Sequence, residues 1–166
     1  MKVKDLGDST ARVTERDGDQ WLVDGKGICK PFGPKSGPNL GARSDSAPVE
    51  IYKNDDGVEH TYSGRGYAQI TWWCNYALTG AQIGKGLSLL FEPEKALDPV
   101  TSYTILSYCL RTGKGFANNH KLSNYIYGSH CDFKGARHMV NGHDCDSKIQ
   151  YLANKFLSIL NKINNS

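Results

Sequence analysis

Two glutamates, Glu50 and Glu59, stand on either side of the turn signal Asn54-Asp55-Asp56-Gly57. A segment dense in aromatic rings, glycines and amides, Tyr62–Tyr76, follows directly. Paired carboxylates are the machinery of glycosidic-bond hydrolysis, one protonating the leaving oxygen while the other activates water. Residues 49–61 read as a short strand, a turn and a return strand. A two-residue loop at 55–56 pairs residue 52 with 59 and 50 with 61. Glu50 and Glu59 then share a face as diagonal neighbours, roughly 7–8 Å apart. Moving the turn to Asp56-Gly57 keeps them on one face at greater separation. An inverting mechanism places its carboxylates roughly 6.5–9.5 Å apart to admit a water. The plain alternative is two solvated charges on a polar hairpin. The other glutamates are Glu15, in a second turn region, and Glu92 and Glu94, flanking Pro93; all read as ordinary surface carboxylates.

The segment YSGRGYAQITWWCNY sets Tyr62, Tyr67, Trp72 and Trp73 close together, with Tyr76 closing it. Gly64 and Gly66 flank Arg65, which permits a tight turn or a close ligand approach. Gln69, Thr71 and Asn75 add neutral hydrogen-bonding groups. Ring faces beside amides and hydroxyls suit a sugar, with its apolar face and rim of hydroxyls. A buried aromatic cluster beside a glycine turn is the competing reading.

The elements that must position these residues fit one domain of 166 residues, with 22% charged and 39% hydrophobic residues, as in a soluble globular protein. A net charge of +3 is too weak to argue for nucleic acid, though it favours adhesion to anionic polymers such as bacterial cell wall. No apolar run approaches a membrane span and Met1–Asp5 leads into no signal-peptide core, so neither a membrane partner nor self-directed secretion is expected. The cysteines, Cys29, Cys74, Cys109, Cys131 and Cys145, are odd in number and match no disulfide or zinc framework.

Residues 1–48 read as an irregular N-terminal segment packed on the domain. Within it, Ala11–Arg16 and Gln20–Val23 make a hairpin about Asp17-Gly18-Asp19. Residues 49–166 carry the rest of the single domain. Helices are expected from Thr71, as N-cap, to Ile83, over 99–110 as a buried helix, over Leu122–Tyr127 and over Phe133–Val140. A final amphipathic helix places Ile149, Leu152, Phe156, Ile159, Leu160 and Ile163 on one face, and is assigned as scaffold. The fold class is mainly α (α+β), with the small β-hairpin beside the glycine-rich stretch.

Residues 62–71, followed by Asn75-Tyr76, resemble the signature of glycoside hydrolase family 19, the chitinases and related lysozyme-like phage endolysins. Residues 93–99 are similar to that family's proline-acid-leucine segment, and Val140-Asn141-Gly142 to its Asn-Gly turn. The resemblance covers about residues 49–160. It implies a lysozyme-like, two-lobed fold with a cleft, Glu50 as general acid and Glu59 as general base. By similarity, Gln69, Thr71 and Asn75 hold sugar or the attacking water, and Asn141 binds substrate. Tyr62, Arg65, Tyr67 and Trp72 complete the expected binding surface, and no cofactor or metal is implied. The chain departs from the pattern at Val49-Glu50-Ile51, where the family has a His-Glu context. It departs again at His143, where the family has a second glycine.

Similar domains occur at the C-terminus of antibacterial type VI secretion effectors. The expected reaction is therefore cleavage of the β-1,4 bond between N-acetylmuramic acid and N-acetylglucosamine in peptidoglycan. The expected protein is a monomer made in a bacterial cytoplasm and acting in the periplasm or wall of target cells. Its expected partners are an immunity protein and secretion machinery. Chitin hydrolysis and a non-catalytic wall-binding module are the alternatives. A metal site built from Cys131, His138, His143, Asp144 and Cys145 is a weaker rival, since C-x6-H-x4-H-x-C is not a zinc pattern.

Overall fold

Alternation of buried and exposed side chains builds the N-terminal sheet of this computed structural model, which describes residues 1–15, 18–31, 51–54 and 57–164. In β1 (Lys2–Gly7), β2 (Thr10–Thr14) and β3 (Gln20–Val23), the buried positions are Val3, Ala11, Val13, Trp21 and Val23. The antiparallel register sets Val3 opposite Val13, Val13 opposite Trp21, and Ala11 opposite Val23, so these side chains share one face. The expected hairpin of residues 11–23 is present. Its neighbours differ from the expectation of an irregular segment, because β1 and β4 (Cys29–Pro31) pair on either side of it.

The sheet continues through β5 (Tyr52–Lys53) and β6 (Glu59–His60), in the order β4-β3-β2-β1-β5-β6. Strand β5 joins β1 in parallel, through Lys2 and Lys53. Between β5 and β6, Tyr52 pairs with His60 and Lys53 with Glu59. This corrects the expected pairing of 52 with 59. The connection is odd-membered, closed by Asn54 N–H donating to the Val58 carbonyl and Val58 N–H to Asn54 Oδ1. A one-residue change of register turns every side chain to the other face. Tyr52 and His60 therefore face the core, and Glu59 faces solvent beside Lys53.

The chain divides into two compact units, Met1–Leu106 and Ser107–Ser166. In the first, α1 (Trp73–Gln82) is wrapped by structure, burying Trp73, Cys74, Tyr76, Ala77, Thr79 and Gly80. Thr71 does not cap it, correcting the expectation. Trp72 is the N-cap residue, with φ +73°, and no side chain caps the first turn. The Trp72 N–H instead donates to the Tyr62 carbonyl at 3.1 Å, tying the helix start to the preceding segment. Helix α2 (Ser88–Phe91) and a 3-10 turn (Pro93–Leu97) follow.

Helix α3 (Pro99–Thr112) starts as its sequence dictates. Asp98 Oδ2 accepts from the Thr101 N–H and the Thr101 hydroxyl, both at 2.8 Å, and proline occupies the first helical position. The helix is amphipathic where full burial was expected: Thr101, Ser102, Ile105 and Cys109 are buried, but Val100 and Tyr103 are exposed.

In the second unit, the helix expected over Leu122–Tyr127 is a 3-10 turn (Leu122–Asn124) running into a hairpin of β7 (Ile126–Tyr127) and β8 (His130–Cys131). Gly128, at φ +54°, allows that reversal. The helix expected over Phe133–Val140 is split into α4 (Phe133–Ala136), capped by Asp132, and α5 (His138–Asn141). Helix α6 (Asp146–Asn164) is the longest element among the described residues. It packs against α4, yet none of its residues is fully buried. Among the described residues, no helix is long and apolar enough to cross a membrane.

Candidate functional site

The segment after β6 is a backbone loop under local strain, braced from inside. Arg65 and Ile70 exchange both backbone hydrogen bonds, so residues 66–69 form a closed turn. Gly66 has φ +69°, and a Cβ there would lie 2.7 Å from the Ala96 carbonyl oxygen and from Ser102 Oγ. That glycine serves a close approach to the protein's own chain. Gln69 (φ +52°) and Trp72 (φ +73°) have positive φ without being glycine. Such backbone is uncommon for side chains with a Cβ and clusters at functional sites.

The turn projects some expected sugar-binding residues outward. Tyr67 is 63% exposed, and its N–H donates to Ser102 Oγ at 2.6 Å, which anchors the backbone beneath the ring. Gln69 is exposed, its amide donating to the Gly66 carbonyl at 2.9 Å. Thr71, Trp72 and Asn75 are half-buried, and the Asn75 amide donates to the Thr71 carbonyl at 2.9 Å. Together they place a ring, an indole, a hydroxyl and two amides in one stretch of the first unit.

Tyr62 and Arg65 are on the inside. Tyr62 is fully buried, stacked on Tyr52 with ring centroids 5.0 Å apart, and donates to the Leu90 carbonyl at 2.6 Å. Burial drives its hydroxyl pKa well above the ordinary value, so it is a neutral core donor. Arg65 points inward, its Nη1 donating to the Thr61 carbonyl at 2.7 Å and to the Tyr76 hydroxyl at 3.3 Å. Its Nη2 reaches Thr61 Oγ1 at 3.0 Å and Glu94 Oε1 at 3.3 Å. The other Glu94 oxygen lies 2.7 Å from His60 Nδ1, and His60 Nε2 lies 3.1 Å from Asn54 Nδ2. Glu94 thus joins the hairpin, the arginine and the turn before α3. These two expected substrate contacts act as support for the turn.

Of the two glutamates expected to catalyse, Glu59 is on β6, exposed, with its carboxylate 3.0 Å from Lys53 Nζ. Glu50 lies outside the described residues. Asn141 ends α5 in the second unit, exposed, its amide donating to Asp144 Oδ2 at 3.0 Å.

Two carboxylates that brace the fold carry no local sign of that role in the sequence. Glu94 looked like a loop charge, and Glu15 like a turn charge. Glu15 in fact accepts from the indole N–H of Trp21 at 2.8 Å and of Trp73 at 3.0 Å, one on each oxygen. Pairing of that kind depends on tertiary placement of residues far apart in the chain, and no local spacing announces it.

The residues weighed as a metal site lie in the second unit. His138 Nε2 is 3.1 Å from His143 Nδ1, which is 3.4 Å from Asp146 Oδ2. Among the described residues, no group of three or more His, Cys, Asp or Glu side chains is placed to hold a metal ion. All of the cysteines are free thiols.

Comparison of the chain with family models, with curated proteins and with solved structures returns no match.

Proposed function

We propose that this chain is a peptidoglycan hydrolase of lysozyme type, cleaving the β-1,4 bond between N-acetylmuramic acid and N-acetylglucosamine. The observation that carries the reading is the strained, braced turn of residues 65–72, which offers Tyr67, Gln69 and Trp72 beside Thr71 and Asn75. Rigid support beneath an exposed ring and amide lowers the ordering cost of binding a sugar. Arg65, Glu94, His60 and the Tyr52–Tyr62 stack provide that support.

In this reading Glu59 is the general base. Its exposed carboxylate is open to a water, which a general base must reach. Glu50 is the general acid, and the reaction inverts the anomeric carbon, as the family resemblance implies. The proposal includes the finer fold expected from that resemblance, lysozyme-like and two-lobed, and Asn141 as a substrate contact. It also includes the biological setting: a domain of an antibacterial effector that acts on the wall of target cells and is neutralised in its producer by an immunity protein.

The deciding experiment is digestion of purified peptidoglycan by wild type, Glu59→Ala and Glu50→Ala, with products identified by mass spectrometry. Muropeptides released by wild type, and by neither variant, are the expected result. Wild type that binds sacculi and releases nothing would overturn the hydrolase and leave a wall-binding module. Release from chitin oligomers alone would move the substrate to N-acetylglucosamine polymers.

A further inference from the structure

The final helix carries an apolar seam that its own unit leaves open. Leu152, Phe156, Ile159 and Leu160 are between 41% and 68% exposed. Ile149, Leu152, Phe156, Ile159 and Ile163 recur at alternating spacings of three and four, the a and d positions of a heptad. In that frame Lys148, Lys155 and Lys162 all fall at the g position, directly bordering the seam. All three are exposed. On the opposite border Ala153 is half-buried, as is Leu157 beyond it, and α6 packs against α4 within its unit. An approaching partner therefore meets an apolar strip with a single, wholly cationic rim.

We propose that this seam docks a protein partner presenting an apolar groove or helix edged by carboxylates. The charge pattern selects that occupant over two others. A second copy is disfavoured by the lysine row. In an antiparallel pair the rows face each other, and in a parallel pair they face Ala153 and Leu160, which offer no carboxylate. A bilayer surface favours a helix whose polar face is rich in lysine and arginine. Here the remaining polar positions of α6 are mostly neutral, among them Ser147, Asn154, Ser158 and Asn161, with the lysines in one row. A helix seated in a groove through anchors at such spacings is a common recognition mode. The inference is independent of the hydrolase reading, since it concerns residues given no part in that chemistry.

The test uses the whole chain and two fluorescent helical peptides, each with leucine at a and d. One carries glutamate at e and g, its twin lysine at the same positions. Fluorescence anisotropy is expected to show binding of the acidic peptide, at least about tenfold tighter than its twin and weaker at high salt. The triple variant Lys148→Glu, Lys155→Glu, Lys162→Glu is expected to reverse the preference. Phe156→Gln, at an exposed position, is expected to weaken both while circular dichroism stays that of wild type. Should Phe156→Gln lose helix, Leu152→Gln serves in its place. Equal binding of both peptides, or binding of neither, overturns the proposal. So does concentration-dependent dimerisation in sedimentation, or partition onto phosphatidylglycerol vesicles without discrimination between the peptides.

Discussion

His60 and Glu94, far apart in the chain, meet at 2.7 Å, and the second oxygen of the same carboxylate lies 3.3 Å from Arg65. The carboxylate joins hairpin, turn and helix approach. Glu94→Gln retains the shape but replaces one acceptor oxygen with a donor facing a donor. Glu94 is about half exposed, so solvent offsets part of the loss. The expected destabilisation is about 1–2 kcal/mol, read as a lower urea midpoint at unchanged slope. A midpoint equal to wild type would show the link to be inconsequential.

Glu15 holds two indoles, one per oxygen. Glu15→Gln leaves one indole N–H facing an amide N–H, with an expected cost of about 1–3 kcal/mol. Because Trp21 and Trp73 are both buried, the substitution is also expected to change the tryptophan emission of the folded protein. Unchanged emission and midpoint together would refute the clamp.

Gly57 and Gly66 both have positive φ, at +83° and +69°, but differ in surroundings. A Cβ on Gly57 meets nothing within 4 Å, whereas on Gly66 it meets the Ala96 carbonyl at 2.7 Å. Gly57→Ala is expected to cost about 1 kcal/mol, the backbone strain alone. Gly66→Ala should cost more than about 2 kcal/mol, because backbone must also move. Equal costs in denaturant titrations would show that the turn does not depend on its approach to Ala96.

The thiols divide by burial. Burial, with the nearby Asp24 and Glu15 charges, pushes Cys29 up to about 12, and burial likewise raises Cys74 to about 12 and Cys109 to about 11. Thiolate is the reactive form, so these groups resist alkylation. Iodoacetamide at mildly alkaline pH is expected to modify exposed Cys145 first, and Cys29, Cys74 and Cys109 only after denaturation. Early modification of Cys74 in peptide mapping would contradict the packing around α1.

Asp98 is held below the usual carboxylate range by hydrogen bonds from the Thr101 N–H and hydroxyl. An acid whose pKa is lower folded than unfolded stabilises the fold above its unfolded value, and loses that contribution as pH falls through the folded one. Wild type is thus expected to exceed Asp98→Asn in thermal midpoint near neutrality. The gap should close as the pH drops through and below the carboxylate range. A gap independent of pH would assign the difference to shape and not charge.

Local signals in the sequence determined much of this protein by themselves. Asp98-Pro99 set the start of α3, because capping and a preset φ need only neighbours in the chain. Asp17-Gly18-Asp19 marked the hairpin of β2 and β3, and the apolar repeat of residues 149–163 marked α6. The glycine-rich segment was legible as the place where backbone must turn sharply, and Gln69 and Trp72 do adopt unusual conformations there.

Other features were decided only by the tertiary structure. Whether Tyr62 and Arg65 face outward or inward depends on Leu90 and Glu94, which arrive from later in the chain. The register of Tyr52–Lys53 on Glu59–His60 depended on an odd-membered connection that composition could not distinguish from an even one. That single residue turned Glu59 to the solvent face. The exposed face of α6 was likewise undecidable from periodicity, because a 3.6-residue repeat reports an apolar stripe and is silent on what covers it.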